Sequence, residues 1–131
     1  VATYPQFVMF TLPVEPGAPT RARRAAHELD RLGDAMRADL ELLLTEVVAN
    51  VVRHSDLGCD EAMTIGMRIE PGRVRAEVTD GERGFPPVAS PVPAPGPDAE
   101  KGYGLFLVDR LARRWGVRLE RRATVWFELE D

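Results

Sequence analysis

The stretch ELLLTEVVANVVRHS, residues 41–55, limits the possible folds more than any other part of the chain. It contains neither Gly nor Pro and is dominated by Leu and Val, so it reads as the body of a helix running from about Ala35 to His54. At about 100° per residue, Leu40, Leu43, Leu44, Val47, Val48 and Val51 share one broad face, and Leu42, Ala49 and Val52 take much of the opposite one. Little of such a helix is left to face water. Its polar residues Asp39, Glu46, Asn50 and Arg53 nevertheless fall within about 60° of one another, a narrow ridge on an apolar cylinder. Two readings follow. Either the side chains pair along the ridge and meet solvent, or the ridge lines a pocket. In a pocket a carboxylate can act as general base, and an amide oxygen one turn on can ligate a metal such as Mg²⁺. Spacing alone does not choose between them.

The flanking segments supply a sheet for this helix to pack on. QFVMFTLP, residues 6–13, mixes aromatic and branched residues before a Pro/Gly cluster and predicts a strand followed by a loop. From Thr20, read as an N-cap, Ala22, Ala25, Ala26, Leu29 and Leu32 recur at helical spacing until Gly33, with Arg21, Arg24 and Arg31 on the other face. AMTIGMRIE (62–70) and RVRAEVTD (73–80) read as a hairpin turned at Pro71-Gly72. The next segment, 81–101, carries prolines at 86, 87, 91, 93, 95 and 97, which forbid regular pairing, and a loop of that length in a small domain is usually functional or disordered. LFLVDRLARRWG predicts a third helix ended by Gly116, and 117–122 with 123–130 a closing pair of strands. Strands adjacent in sequence favour an α+β two-layer sandwich, with a mixed, mainly antiparallel sheet and helices on one face.

Bulk properties remove several function classes. A chain of 131 residues suits one domain, 1–131, and a domain of this size buries about two-thirds of its unfolded surface. The net charge of −4, from 17 basic and 21 interspersed acidic residues, argues against a nucleic-acid face and against a polybasic membrane anchor. Arg supplies every basic residue except Lys101, a bias expected of a GC-rich bacterial genome. The lone Cys59 has no partner for a disulfide or a zinc site, so the reducing cytoplasm is the expected compartment. No run of about 18 apolar residues occurs and the first residues lack a secretory pattern. Beginning at Val1, the chain is expected to be a processed or trimmed form.

Two glycine segments follow strands. VTDGERGFPP (78–87) ends a strand with Asp80, and KGYGLFLVDR (101–110) opens a helix with Gly102 and Gly104. A Gly-x-Gly step before a helix lets main-chain N–H groups approach a phosphate, with Lys101 adding positive charge. Each segment alone is an ordinary turn.

Their order carries more. Glu-x-x-x-Asn on a helix, Asp near glycines at a strand end, a long loop, Gly-x-Gly-Leu opening a helix, and a late Thr in ATVWFEL together resemble the Bergerat-fold (GHKL) ATPases, the superfamily of gyrase, heat-shock chaperones, histidine kinases and mismatch-repair ATPases. The resemblance covers nearly the whole chain. TEVVANVVRHS, GYGLFLVDRLARRWGV and TVWFELE look most like the stand-alone anti-sigma factor serine kinases of actinobacterial type.

That resemblance implies ATP and Mg²⁺ as ligands and a role for each motif. Glu46 would take the proton from an attacking hydroxyl, and Asn50 would hold Mg²⁺ bridging the phosphates. Asp80 would accept a hydrogen bond from the adenine amino group, with Thr124 near the same ring. Gly84 would let the chain pass close to the base. The run Lys101, Gly102, Tyr103, Gly104, Leu105 would bind phosphates beneath a lid formed by about 86–101. Arg53 and His54 would either border the phosphates or solvate the helix end. Implied partners are a sigma factor and a STAS-type anti-anti-sigma protein, with homodimerisation also common in that family. The sequence departs from the family's Asp-x-Gly-x-Gly pattern at Glu82, which leaves room for a module that binds nucleotide without turnover. AAHELDRLG, around His27, resembles the phospho-acceptor box of sensor histidine kinases, but His27 lies too close to Glu46 for a long dimerisation hairpin and no Pro follows it.

Overall fold

The computed structural model describes residues 5–54, 61–80, 103–119 and 122–131. Along the chain these form β1 (Gln6–Pro13), α1 (Ala18–His27), α2 (Asp34–His54), β2 (Ala62–Glu70), β3 (Arg73–Thr79), α3 (Tyr103–Leu111), β4 (Arg114–Leu119) and β5 (Ala123–Glu130). The strands make one sheet in the order β1-β2-β3-β5-β4, and every neighbouring pair is antiparallel. The architecture is the expected α+β sandwich.

Alternation along the strands sorts the two faces of the sheet. Leu12, Met63, Ile65, Met67, Ile69, Val74, Ala76, Val78, Ala123, Val125, Phe127 and Leu129 are buried and share one core with Ala22 and Ala26 of α1, Leu40, Leu43, Leu44, Val47, Val48 and Val51 of α2, and Leu105 and Val108 of α3. The helices cover this side. Fully buried Phe127, on the interior strand β5, stands opposite Ala76 of β3 and Trp115 of β4 in the register.

The helices differ from the sequence expectation at their ends. α1 begins at Ala18 with Gly17 as N-cap and a Pro in its first turn, so Thr20 lies inside the helix. A proline there lacks only an N–H that the helix leaves unpaired anyway, and its fixed φ suits the first turn. The helix stops at His27, and Leu29 and Leu32 are buried from the connection that follows. Arg37 ties that connection to α2 by donating to the carbonyls of Leu29 (3.0 Å) and Leu32 (3.4 Å). Gly116 does not end a helix. α3 ends at Leu111, and Gly116 lies within β4 opposite Trp126. A Cβ at Gly116 would sit 2.8 Å from the indole Nε1, so the glycine makes room for a ring that lies flat along the sheet.

On the face away from the helices, the strands β3, β5 and β4 are joined by charge. Glu128 accepts from Arg75 (2.9 Å) and from Arg114 (3.1 and 2.9 Å), and Glu77 accepts from Arg75 (3.1 Å) and Arg118 (3.0 Å). Burial pushes both carboxyls up, but the hydrogen bonds and charge of Arg114 and Arg75 at Glu128, and of Arg118 and Arg75 at Glu77, outweigh it and hold both below the ordinary value of 4.5. Arg75 also stacks over the Trp126 ring at 4.2 Å.

Candidate functional site

The polar ridge of α2 changes character along its length. Asp39 and Arg53 are exposed at its two ends, Glu46 is partly covered, and Asn50 is only 3% exposed. Among the described residues Glu46 makes no hydrogen bond or ion pair, so the ridge is not closed by a Glu46 salt link along the helix. The Asn50 Oδ1 is buried with no hydrogen-bond partner. An orphaned amide oxygen of this kind costs about 1–3 kcal/mol; among the described residues Gln6 Oε1 is the other such buried oxygen.

Three elements meet at the end of the domain where Asn50 lies. α2 ends at His54, and the chain re-enters the sheet at Ala62, opposite Pro13. Thr64 of β2 pairs with Thr79, so Asp80 follows β3 at this same end. Asp80 is 6% exposed. Its carboxylate accepts the N–H of Ala123 at 3.3 Å, while its own N–H donates to the Ala123 carbonyl at 3.1 Å. β4 starts at the opposite end, with Arg114 beside Glu128, so α3, which precedes it, points its N-terminus toward Asp80 and Asn50. α3 packs against α2. A buried amide oxygen, a buried carboxylate and a helix N-terminus therefore lie toward one end of the domain.

The chemistry of this set suits an anion with a hard cation. An oxygen donor without a partner matches a hard cation such as Mg²⁺, which takes one or two protein oxygens and fills its remaining positions with phosphates and water. Among the described residues no group of three or more His, Cys, Asp or Glu side chains gathers to hold a metal by itself. The N-terminus of α3 offers unpaired N–H groups and favourable potential to an anion.

Comparison with known proteins identifies the family. The model of the histidine kinase-like ATPase domain matches residues 12–128. The chain belongs to that family. An uncharacterised protein of Streptomyces coelicolor is 40% identical to it over 83 residues, which is 61% of this chain and 75% of that protein. The relative accords with an actinobacterial type. As a histidine kinase-like ATPase domain, the chain is an ATP-binding protein of the kinase and ATPase class. Among the described residues no helix is long and apolar enough to cross a membrane.

The expected site residues divide into three groups. Glu46, Asn50 and Arg53 stand on one side of α2 and Asp80 at the end of β3, while Tyr103, Gly104 and Leu105 form the first turn of α3, where Leu105 is buried. Gly84, Lys101, Gly102 and the lid expected at 86–101 lie outside the described residues. Thr124 is set apart. Its hydroxyl pairs with that of Thr79 at 2.8 Å, and both share the helix-free face with Glu77, Trp126 and Glu128. The residue of β5 on the Asp80 side is Ala123, a contact that residue chemistry alone did not suggest. The alternation through Val125, Phe127 and Leu129 carried the signal, since it assigns odd positions of this strand to the helix layer.

Proposed function

We propose that this chain is an ATP-dependent protein serine kinase that phosphorylates a small STAS-type anti-anti-sigma partner and holds a sigma factor inactive in the cytoplasm. The observation that carries the reading is the unpartnered Oδ1 of Asn50, buried one helical turn from Glu46 and at the same end of the domain as Asp80 and the N-terminus of α3. Asp80 would receive the adenine amino group, its carboxylate oriented by the Ala123 N–H. Asn50 would hold Mg²⁺, which when bound neutralises phosphate charge. Glu46, which makes no ion pair among the described residues, would act as base toward the hydroxyl of the protein substrate. Phosphoryl transfer demands positioning and charge compensation above all, and this residue set is sufficient for that. Thr124 has no part in the proposal, because its hydroxyl is engaged on the other face.

The His27 region favours this reading over a sensor kinase. His27 ends a helix of 10 residues, and its Nδ1 lies 3.0 Å from the Glu41 carboxylate on α2, a setting for a surface ion pair. A second reading is a binding module that uses nucleotide to set its shape while sequestering a partner, favoured by Glu82 within the glycine segment. Incubation with Mg-ATP and an anti-anti-sigma protein, followed by mass spectrometry for phosphoserine, separates them. A phosphoserine supports the kinase, and a nucleotide-dependent complex without phosphate supports the module.

A further inference from the structure

The helix-free face of the sheet carries a hollow on the side opposite Asn50 and Asp80. Across β1, β2 and β3 the register sets Phe7, Arg68 and Arg75 in one row and Met9, Gly66 and Glu77 in the next. The second row has no side chain at its centre. A Cβ at Gly66 would meet nothing nearer than the Met9 Cε at 3.8 Å, and a hollow of about 360 Å³ opens over the glycine backbone. Strand spacings make it roughly 10 Å across, from Met9 to Glu77, and roughly 13 Å along, from Arg68 to Thr64. Phe7 and Met9, which form its apolar wall, are 71% and 78% exposed. A glycine in a strand interior weakens the strand and often marks a place where a ligand approaches closely.

We propose that this hollow binds a small planar aromatic carboxylate, its ring flat on the Gly66 backbone and its carboxylate at Arg68. Charge selects the anionic end. Arg68 stands directly opposite Arg75, a like-charge pair that an anion at the rim relieves. Arg75 is committed to Glu77 and Glu128. Arg68 meets Glu70 through Nε at 2.8 Å, in a pair whose Arg is 52% exposed, a contact of little strength for a guanidinium with five donors. The Phe7 ring, 5.7 Å from that guanidinium, holds it at the end of the hollow. The carboxylate in the lining, Glu77, does not repel the ligand, since Arg75 and Arg118 neutralise it at 3.1 and 3.0 Å. Shape selects the ring. The floor is flat peptide backbone, on which a stiff planar group loses little freedom while an alkyl chain must freeze its torsions. Met9 stands at the edge of that floor, and contact between a thioether and an aromatic edge is favourable.

Ligand-observed NMR titrations with cinnamate, its neutral amide cinnamamide and the alkyl acid octanoate test this. The parent should bind cinnamate saturably at one site, and cinnamamide and octanoate about tenfold or more weaker. Arg68→Gln, at an exposed position, should weaken cinnamate by a similar factor and leave cinnamamide unchanged. Gly66→Val fills the hollow and raises strand propensity, so it should abolish cinnamate binding with a melting temperature no lower than the parent's; should it melt lower, Arg68→Gln decides alone. Excess Mg-ATP should leave cinnamate bound, which separates the hollow from the nucleotide site and keeps this test independent of the kinase reading. The proposal is overturned by a parent that does not bind cinnamate saturably, by equal affinity for cinnamate and either control, by displacement with Mg-ATP, or by undiminished cinnamate binding in either folded variant.

Discussion

Asp80 and Ala123 hold each other twice: the Asp80 N–H donates to the Ala123 carbonyl at 3.1 Å, and the Asp80 carboxylate accepts the Ala123 N–H at 3.3 Å. The second bond continues the β3–β5 ladder by one step, with a side chain in place of backbone. It orients a buried carboxylate, and an asparagine can keep that acceptor while losing the charge and one of the two acceptor oxygens. Asp80→Asn therefore separates the residue's structural role from any role toward a ligand.

Replacing Asn50 by Leu, of similar shape, removes the orphaned buried oxygen. Relief of about 1–3 kcal/mol of desolvation penalty should raise the melting temperature of the nucleotide-free protein by a few degrees. The same variant should lose the further rise that Mg-ATP gives the parent. Scanning fluorimetry with and without Mg-ATP reads both; a variant that is destabilised yet still responds to Mg-ATP would remove Asn50 from the site.

Glu46 is partly exposed and makes no ion pair among the described residues, so truncating it leaves no buried partner stranded. Glu46→Ala should keep ATP affinity and lower phosphotransfer by about 10²–10⁴-fold, the usual contribution of a positioned general base. Radiolabelled phosphate incorporation into the protein substrate measures it, and undiminished incorporation would assign the base elsewhere.

Acid should weaken the sheet through Glu128 and Glu77. Both are held below their ordinary value of 4.5 in the fold, so the unfolded chain takes up protons first as pH falls. The stability they contribute is complete above about pH 5 and is lost as pH drops through 4.5 toward the folded values. In melting curves taken from pH 7 to 3, Glu128→Gln should start lower than the parent and decline less steeply. Parallel curves would show that the Arg75–Glu128–Arg114 cluster has no part in acid sensitivity.

Gly116→Ala should destabilise the domain by about 1–3 kcal/mol, a cost typical of overpacking, because the new methyl would lie 2.8 Å from the Trp126 indole Nε1, while Arg75 already lies over that ring at 4.2 Å. Urea unfolding followed by tryptophan fluorescence checks this. An unchanged midpoint would mean that the ring moves freely.

The sequence made the strands legible where alternation was clean. QFVMFTLP, AMTIGMRIE and ATVWFELE fall where expected, since branched and aromatic residues there are bounded by Pro, Gly or charge. The core face of α2 was equally readable, but its opposite side was not: Leu42 is 42% exposed, although apolarity on both sides left little of this helix to face water. Gly116 misled because a glycine after an apolar helical run signals a C-terminus, and only the tertiary neighbour Trp126 reveals its other purpose. At the site, Asn50 and Asp80 were legible as polar residues in apolar surroundings. Thr124 lies on the opposite face of β5 from Ala123, since on a strand one residue means the other face.

The most direct measurement is a calorimetric titration of Mg-ATP into the parent chain and Asp80→Asn. Loss of a charged hydrogen bond worth about 1.5–3 kcal/mol predicts saturable one-site binding by the parent and affinity at least tenfold weaker in the variant, with matching circular dichroism. Equal affinities, or no binding by the parent, would contradict the account.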